Sequence, residues 1–454
     1  MSTENKKSKP FKLRKLTQVQ FIACGFLLMI LFGALLLMLP ISSRDGQWTG
    51  FLDALFTATS ASCVTGLVVF DTFTHWSMLG QWILLILIQV GGLGFITIGV
   101  AFAVLFRRRI GLRQRYLLKE SINAMEIGGI IKLWRNIVIG TALFEGIGAL
   151  LLAFRFVPQF GWIRGIYYSL FHSVSAFCNA GFDLMGINES YSSFTGYVDD
   201  PLVNGVFCFL IIVGGLGFAV WRDLWMHRFH WKRYALHTKI VLTMTGILVV
   251  GGAILLYLVE RNNTLAGADA ATCFWASLFG SVTTRTAGFN TVDTGALTPA
   301  GKLLTIILMF IGGSPGSTAG GVKTTTIFVM ILFIVDNLRN NSGCNVFHRR
   351  ISDEVIKKAS MVFGLNLALV LASSAIILAT SNLAMEDVLF ETVSAVSTVG
   401  MSTGITRDLN SIGKIAIILL MYCGRIGSMT FALSFMQRST AQLCRLPEEK
   451  ITIG

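Results

Sequence analysis

The chain is poor in charge and in proline. Of its 454 residues only 13% are Asp, Glu, Lys or Arg, and 7 are Pro, whereas 54% are hydrophobic. Soluble domains are nearer one quarter charged, and a disordered chain needs low hydrophobicity, so both classes fit poorly. The eight cysteines are scattered without close pairs, which excludes a disulfide-stapled secreted domain. What remains is an integral membrane protein.

The apolar residues fall into two length classes. Eight runs reach the roughly 20 residues that a membrane-crossing helix needs: Phe21–Pro40, Leu79–Phe106, Trp134–Val157, Leu202–Trp221, Ile240–Val259, Leu303–Val335, Met361–Thr380 and Ile415–Met436. Four shorter stretches fit re-entrant helices, interfacial segments or helices buried in protein: Phe51–Ser62, Ile166–Phe177, Ala270–Val282 and Asp387–Ser397. The predicted fold is an all-α integral membrane protein with eight transmembrane helices. No signal peptide is expected, because the first apolar run has full span length and lacks a small-residue cleavage site.

The net charge of +13 is unevenly distributed along the chain. Of the 37 Lys and Arg, 25 lie in every second connection, at 1–16, 107–119, 222–239, 336–358 and 437–450. By the positive-inside rule these stretches and both termini are cytoplasmic, which predicts a multi-pass protein of the plasma membrane. Nucleic-acid binding is a poor alternative, because the charge is divided among loops. Anionic lipid alone could explain the basic underside.

A fourfold repeat organises the chain. Each short apolar stretch ends in small and hydroxyl residues followed by a glycine, and these glycines are 115, 107 and 112 residues apart. In three copies Phe lies ten residues before the glycine and Ser-Ala lies six and five before it, and the third copy is one residue shorter. A glycine motif recurs in each following span, at 91–94, 214–217, 312–316 and 424–427. The unit is helix, short re-entrant helix, glycine turn and helix.

The repeat sets the predicted boundaries of the chain. They are a cytoplasmic N-terminal tail at 1–16, pore repeats at 17–120, 121–236, 237–345 and 346–440, and a cytoplasmic C-terminal tail at 441–454. Glycine in membrane helices commonly serves close helix packing. For any single glycine that is the better explanation, but packing alone does not explain four glycines at a near-constant period.

Four glycine turns around a pseudo-fourfold axis predict a cation pore. Non-helical backbone at membrane depth must be buried or line water, a ring of carbonyl oxygens replaces the hydration shell of a cation, and helix C-termini favour cations. No filter position carries a ring of Asp or Glu, which favours a monovalent ion. The candidate filter residues are Cys63, Val64, Thr65 and Gly66, then Asn179, Ala180 and Gly181, then Thr286, Ala287 and Gly288, and finally Thr398, Val399 and Gly400.

The last helix of the third repeat is interrupted over residues 312–326. Its glycines and proline disfavour a continuous helix, so we expect an intramembrane gate below the filter, with a packing kink as the alternative. A phosphate-binding loop fits poorly, because Val322 separates the last glycine from the lysine and no strand precedes it. The candidate gate residues are Gly312, Gly313, Ser314, Pro315, Gly316, Ser317, Thr318, Ala319, Gly320, Gly321 and Lys323.

Two charged residues lie inside predicted spans, where a charge needs a polar cavity or a partner. Arg425 is expected to face the pore near the 312–321 loop as an electrostatic barrier or gate latch, with a structural salt bridge or backbone contact as the alternative. Glu145 could bind a coupling ion, but a hydrogen-bonded structural acid fits better. His172 more plausibly packs or hydrogen-bonds than binds metal, because no His/Cys cluster has metal-ligand spacing. No nucleophile–base motif indicates an enzyme.

The filter sequences at 63–66, 179–182, 286–289 and 398–401 resemble the Trk/Ktr/HKT superfamily of potassium transporters. The resemblance covers nearly the whole chain and looks most like the bacterial KtrB type of membrane subunit. It implies K⁺ uptake through a filter whose four glycines match Gly66, Gly181, Gly288 and Gly400, an intramembrane loop that obstructs the pore, and an Arg at the place of Arg425. It also implies a homodimer on a cytosolic nucleotide-binding (RCK/KTN-type) regulatory ring, with Na⁺ either coupled or only activating. No organic cofactor is expected in this chain.

Two other functions compete with a channel-like transporter. Secondary carriers of organic solutes also use broken helices at mid-membrane, but their repeats are inverted, whereas these four share one orientation. A membrane scaffold without transport would not need the polar loop or a buried Arg425.

Overall fold

The computed structural model describes residues 18–428, apart from 95–96, 98, 101–103, 105–110, 122–127, 188, 229 and 340–342. The predicted cytoplasmic tails at 1–16 and 441–454 lie outside the described residues, as do 107–110 and 437–450 of the basic stretches. The described part is almost entirely helical, with one short hairpin.

Sixteen α-helices lie in the described ranges. They are α1 Gln18–Met38, α2 Phe51–Cys63, α3 Thr72–His75, α4 Met78–Leu93, α5 Leu112–Ser121, α6 Ile130–Phe160, α7 Trp162–Cys178, α8 Pro201–Leu216, α9 Phe218–His227, α10 Leu236–Glu260, α11 Ala270–Thr283, α12 Pro299–Phe310, α13 Thr324–Leu338, α14 Asp353–Thr380, α15 Met385–Ser397 and α16 Ser411–Ile426. Strands β1 Asn345–Val346 and β2 Arg349–Arg350 pair antiparallel. Short 3₁₀ turns lie at Pro40–Ser42, Thr195–Tyr197, Trp231–Arg233 and Ile405–Asp408.

Four helices, α1, α6, α10 and α14, are by themselves long and apolar enough to cross a membrane. Large apolar side chains such as Leu28 and Phe154 are exposed on these helices, as expected of surfaces that a membrane covers. The chain is therefore a multi-pass helical membrane protein.

The short helices α2, α7, α11 and α15 match the four short apolar stretches of the sequence. Each packs against the long helix that precedes it, α1, α6, α10 or α14 respectively. The repeated phenylalanine of each short helix is buried, and all four rings are at most 1% exposed: Phe56, Phe171, Phe279 and Phe390. These buried rings anchor the short helices, and thereby the turns that follow them.

The helices that follow the turns, α4, α8, α12 and α16, all begin at a side-chain cap. An oxygen of the capping residue accepts a hydrogen bond from an N–H of the first helical turn, which satisfies a donor the helix leaves open. The caps are Ser77, Asp200, Thr298 and Asn410.

The prediction of one continuous helix over Leu202–Trp221 is wrong. Helix α8 ends at Leu216, and α9 leaves it at an angle of 96°. The break lies at Gly217, whose φ of +94° is left-handed and therefore suited to glycine. Helices α4 and α16 likewise end inside the predicted spans Leu79–Phe106 and Ile415–Met436, at Gly94 (φ +83°) and Gly427 (φ +96°). In three repeats the last glycine of the motif thus ends the helix, whereas in the third α12 already ends at Phe310, before the motif begins.

Candidate ion pore

The four predicted filter glycines meet in a closed ring. A Cβ added at Gly66 would lie 2.6 Å from the carbonyl oxygen of Ala180, and one added at Gly181 would lie 2.8 Å from that of Ala287. The cycle continues from Gly288 to the oxygen of Val399, and from Gly400 back to the oxygen of Thr65. Each glycine therefore lies against the carbonyl that precedes the next glycine, and any side chain in the ring would strike main-chain atoms of its neighbour.

Left-handed backbone shapes each turn. The residue two before each glycine has a positive φ although it is not glycine: Val64 (57°), Asn179 (59°), Thr286 (75°) and Thr398 (51°). Such residues cost roughly 1–2 kcal/mol each, so they persist only where the surroundings impose them. Positive φ at this residue and at the glycine takes the backbone of each turn out of the right-handed helical conformation.

The N–H groups of each turn point back to its short helix. The backbone N–H before each glycine donates to the carbonyl of a Ser or Thr at 2.8–2.9 Å, in the pairs Thr65–Ser60, Ala180–Ser175, Ala287–Thr283 and Val399–Ser394. Within the described part of the chain, the carbonyl oxygens of Thr65, Ala180, Ala287 and Val399 accept no hydrogen bond. A ring of four oxygens without donors is the arrangement that binds a dehydrated cation.

The hydroxyl groups of the same Ser and Thr residues form a second hydrogen bond to each turn. Ser60 and Ser394 accept from the N–H groups of Gly66 and Gly400 at 3.0 Å. In the other two repeats, Ser175 and Thr283 donate at 2.7 Å to the carbonyl oxygens of the residues after the glycines, Phe182 and Phe289. The sequence pattern contained these residues six positions before three of the glycines and five before Gly288, but their supporting role was missed.

Ser60→Ala combined with Ser394→Ala is expected to lower ion discrimination at the ring. Each change leaves a buried glycine N–H without its acceptor, which costs about 1–3 kcal/mol and loosens two of the four turns. Ion flux with K⁺ and with Na⁺ in liposomes measures the ratio, which should fall severalfold. Ser277→Ala is the matched control, because the Ser277 hydroxyl is buried without a hydrogen-bond partner. An unchanged ratio in the double variant would show that the hydroxyls do not maintain the turns.

The predicted gate loop lies against the ring of turns. It is closed at its base by hydrogen bonds from Gly312 N–H to the Val322 carbonyl (2.9 Å) and from Thr324 N–H to the Gly313 carbonyl (3.1 Å). A Cβ at Gly320 would strike the side chain of Thr398, just before the last filter glycine. The loop therefore lies in contact with the fourth turn.

The loop also contacts the backbone on both sides of the bend between α8 and α9. Ser314 N–H donates to the Gly215 carbonyl (3.1 Å), and Phe218 N–H donates to the Gly316 carbonyl (2.8 Å). Thr318 donates its hydroxyl to the carbonyl of Phe177 at the end of α7 (3.2 Å). Within the loop itself, the ammonium of Lys323 donates to the carbonyls of Ala319 (2.7 Å) and Gly320 (3.3 Å). The second repeat thus holds one side of the loop.

Arg425 holds the other side. Its guanidinium donates to the carbonyl oxygens of Thr318 in the loop, of Gly91 (2.5 Å) and of Gly92 (2.8 Å) at the end of α4. The carbonyl end of a helix carries partial negative charge, which favours a cation there. The motif has glycine where the fourth repeat has Arg425, at Gly92, Gly215 and Gly313. Arg425 is therefore the only one of these four motif positions with a side chain, and that side chain joins the loop to the first and fourth repeats.

Two further residues that the sequence singled out support the second turn. The carboxylate of Glu145 accepts from Gln89 (3.2 Å) and faces the thiol of Cys178, the residue before Asn179. Both nitrogens of His172 are occupied, one by the Tyr168 carbonyl and one by the N–H of Leu184 (3.0 Å). Over the described residues, no group of three His, Cys, Asp or Glu side chains has a metal-binding arrangement.

A wide cavity of about 850 Å³ opens on the other side of the ring, and all four glycines line it. Four carboxylate residues also line it, which the sequence did not single out as a group: Asp71, Asp183, Glu189 and Asp293. Acidic walls raise the local concentration of cations. The signal available in the sequence was weak, because only Asp183 lies within two residues of a filter glycine.

Comparison with known proteins identifies relatives among cation transport proteins of the membrane. Residues 3–442 match the family described as TrkH, cation transport protein, and the chain belongs to that family. It is 41% identical to the potassium/sodium uptake protein NtpJ of Enterococcus hirae, over 97% of this chain and 98% of that protein. It is 40% identical to the Ktr system potassium uptake protein B of Bacillus subtilis, over 99% of both. Among solved structures, the potassium transporter TrkH from Vibrio parahaemolyticus has the same fold, with a TM-score of 0.71, 18% identity, and coverage of 95% of this chain and 87% of that one.

Proposed function

We propose that this chain is the ion-translocating subunit of a K⁺ uptake system, and that K⁺ crosses the membrane through the ring of Gly66, Gly181, Gly288 and Gly400. The observation that carries the proposal is the closed cycle of glycines and free carbonyl oxygens. Neutral carbonyls in a ring without carboxylates suit a monovalent cation rather than a divalent one. The names of its relatives, potassium uptake and potassium/sodium uptake proteins, agree with this substrate.

The architecture we propose has eight spans in four repeats, at 17–120, 121–236, 237–345 and 346–440. The four capped helices α4, α8, α12 and α16, each following a short buried helix, support the repeat. Both termini and the basic loops lie in the cytoplasm in this arrangement. We further propose that the chain forms a homodimer on a separate cytosolic nucleotide-binding ring. The name of one relative, Ktr system potassium uptake protein B, supports a system of more than one protein.

The loop at 312–326 is the gate in this proposal, and the described conformation has it closed. The loop contacts the Thr398 side chain, and its carbonyls hold Lys323 and Arg425. Two cations at the inner end of the ring repel a third, so the loop blocks K⁺ both by its bulk and by its charge.

Ion flux in liposomes is the direct test. The purified chain should carry K⁺ several times faster than Na⁺, and an organic solute such as an amino acid should not move at all. Liposomes without protein give the background. Solute-coupled flux, or equal rates for all substrates, would contradict the proposal and favour a secondary carrier.

A further inference from the structure

Helix α9 is hydrogen-bonded directly to the gate loop. Its first N–H, from Phe218, donates to the Gly316 carbonyl at 2.8 Å, and a Cβ at Gly217 would lie 2.6 Å from the Pro315 carbonyl oxygen. The inner face of α9 is anchored by Trp221, whose indole N–H donates to the Val213 carbonyl at 2.9 Å. Any movement of α9 therefore reaches the loop through main-chain contacts.

Helix α9 is tied to the start of α10, in the stretch 222–239 that the charge pattern assigns to the cytoplasm. The carboxylate of Asp223 accepts the N–H of Ala235 at 2.9 Å, directly before α10 begins. Helix α10 has 25 residues and is long and apolar enough to cross the membrane completely. Since α9 runs at 96° to α8 and meets the first turn of α10, it lies along the cytoplasmic surface rather than through the membrane.

The outer face of α9 has the composition of a helix at the lipid–water boundary. Trp225 is 88% exposed and Met226 is 61% exposed, and the exposed Arg222 and Arg228 flank them. Trp is enriched at membrane interfaces, and Arg beside it pairs with lipid phosphate. Among the described residues Asp223 forms no ion pair with either arginine, and its two oxygens accept hydrogen bonds from His227 and from the N–H of Ala235.

We propose that anionic phospholipid headgroups of the cytoplasmic leaflet bind Arg222 and Arg228, with Trp225 in the acyl boundary beside them, and that this contact sets the position of the gate loop through Phe218 and Gly316. The lipid site rests on the geometry of α9 and on the charge pattern that places its surface in the cytoplasm. Its effect on the gate rests on the function proposed above.

Quenching of Trp225 fluorescence tests the lipid site without any transport. The intact protein is placed in vesicles containing brominated phosphatidylglycerol or brominated phosphatidylcholine, and the Trp225→Phe variant is subtracted to isolate this ring from the other tryptophans. The anionic lipid should quench Trp225 more strongly. Arg222→Gln with Arg228→Gln should weaken that preference by about 25-fold, because each charge near the surface contributes about fivefold. Lys357→Gln with Lys358→Gln removes the same charge from another exposed basic pair and should change nothing.

Three results would overturn the lipid site. These are equal quenching by both lipids, an anionic preference that survives in the double arginine variant, and shielding of Trp225 from both lipids, which would mean that a protein partner covers the face.

Flux tests the coupling. K⁺ flux should change at least severalfold between vesicles without anionic lipid and vesicles that contain it, and the double arginine variant should lose most of that change while the double lysine variant keeps it. Preferential quenching with flux that ignores lipid charge would overturn the coupling and leave the lipid site intact. Absence of K⁺ flux in every vesicle would instead contradict the proposed transport function, and the quenching result would stand.

Discussion

Gly400→Ala is expected to reduce K⁺ flux by on the order of 100-fold, which corresponds to about 3 kcal/mol. A methyl group at this position would overlap the carbonyl oxygen of Thr65 and lie 2.8 Å from the Cα atom of Gly66. Both are backbone atoms, so neither can rotate away. The Thr65 turn must move, and with it one of the four oxygens of the ring. Flux in liposomes at matched protein density measures the loss.

Gly267→Ala is the control for this prediction. Gly267 is also left-handed, with φ +79°, but a Cβ there has no atom within 4 Å. The two changes therefore impose a similar backbone strain, and they differ in the collision with the ring. Size-exclusion chromatography and thermal unfolding show whether each variant is folded. Full flux through a folded Gly400→Ala protein would exclude the ring as the ion pathway.

Arg425→Gln is expected to raise the basal K⁺ flux of the chain alone by about tenfold or more. The guanidinium links the loop carbonyl of Thr318 to Gly91 and Gly92, and hydrogen bonds to a charged group contribute roughly 1.5–3 kcal/mol each. Loss of only 1.4 kcal/mol from the closed state shifts its ratio to the open state tenfold. The change also removes a positive charge that repels K⁺ below the ring. Flux without any regulatory subunit measures the effect.

Lys414→Gln is the matched control, since it removes a charge from the same helix, α16. Lys414 pairs with Asp53 at 2.7 Å and so also joins the fourth repeat to the first, but it lies near the start of the helix, away from the loop. This variant should leave basal flux close to that of the parent chain. A fall in flux in Arg425→Gln, with flux of Lys414→Gln unchanged, would assign Arg425 to conduction and contradict its role as a latch.

The local pattern of the sequence was sufficient to locate the short helices and their glycine turns. The predicted stretch Phe51–Ser62 differs from α2 by one residue, and Ala270–Val282 differs from α11 by one residue. Apolar length separates a full span from a half span, and four repetitions of one pattern make chance agreement between copies improbable. Both the length of an apolar run and the repeated pattern can be read along the chain, without knowing which segments contact each other in the fold.

The breaks at Gly94, Gly217 and Gly427 could not be predicted in the same way. A glycine inside an apolar run lowers helix propensity by only about 1 kcal/mol relative to alanine, and membrane helices tolerate it for packing. Whether the helix continues depends on what lies beside it. At Gly217 the Pro315 carbonyl occupies the space where a side chain would be, and Phe218 finds a hydrogen-bond acceptor outside the helix.

By itself, the sequence determined that this is a helical membrane protein with four related glycine turns, because hydropathy, charge and period depend only on order along the chain. Only the tertiary structure decided that the turns close into one ring, with the carbonyl of Thr65 completing the cycle at Gly400 across more than 330 residues of chain. It also decided the partners of Arg425. The sequence allowed either a carboxylate or backbone carbonyls, and the structure has the carbonyls of Thr318, Gly91 and Gly92. Contacts between distant segments are set by packing around a common axis, and no single segment contains that information.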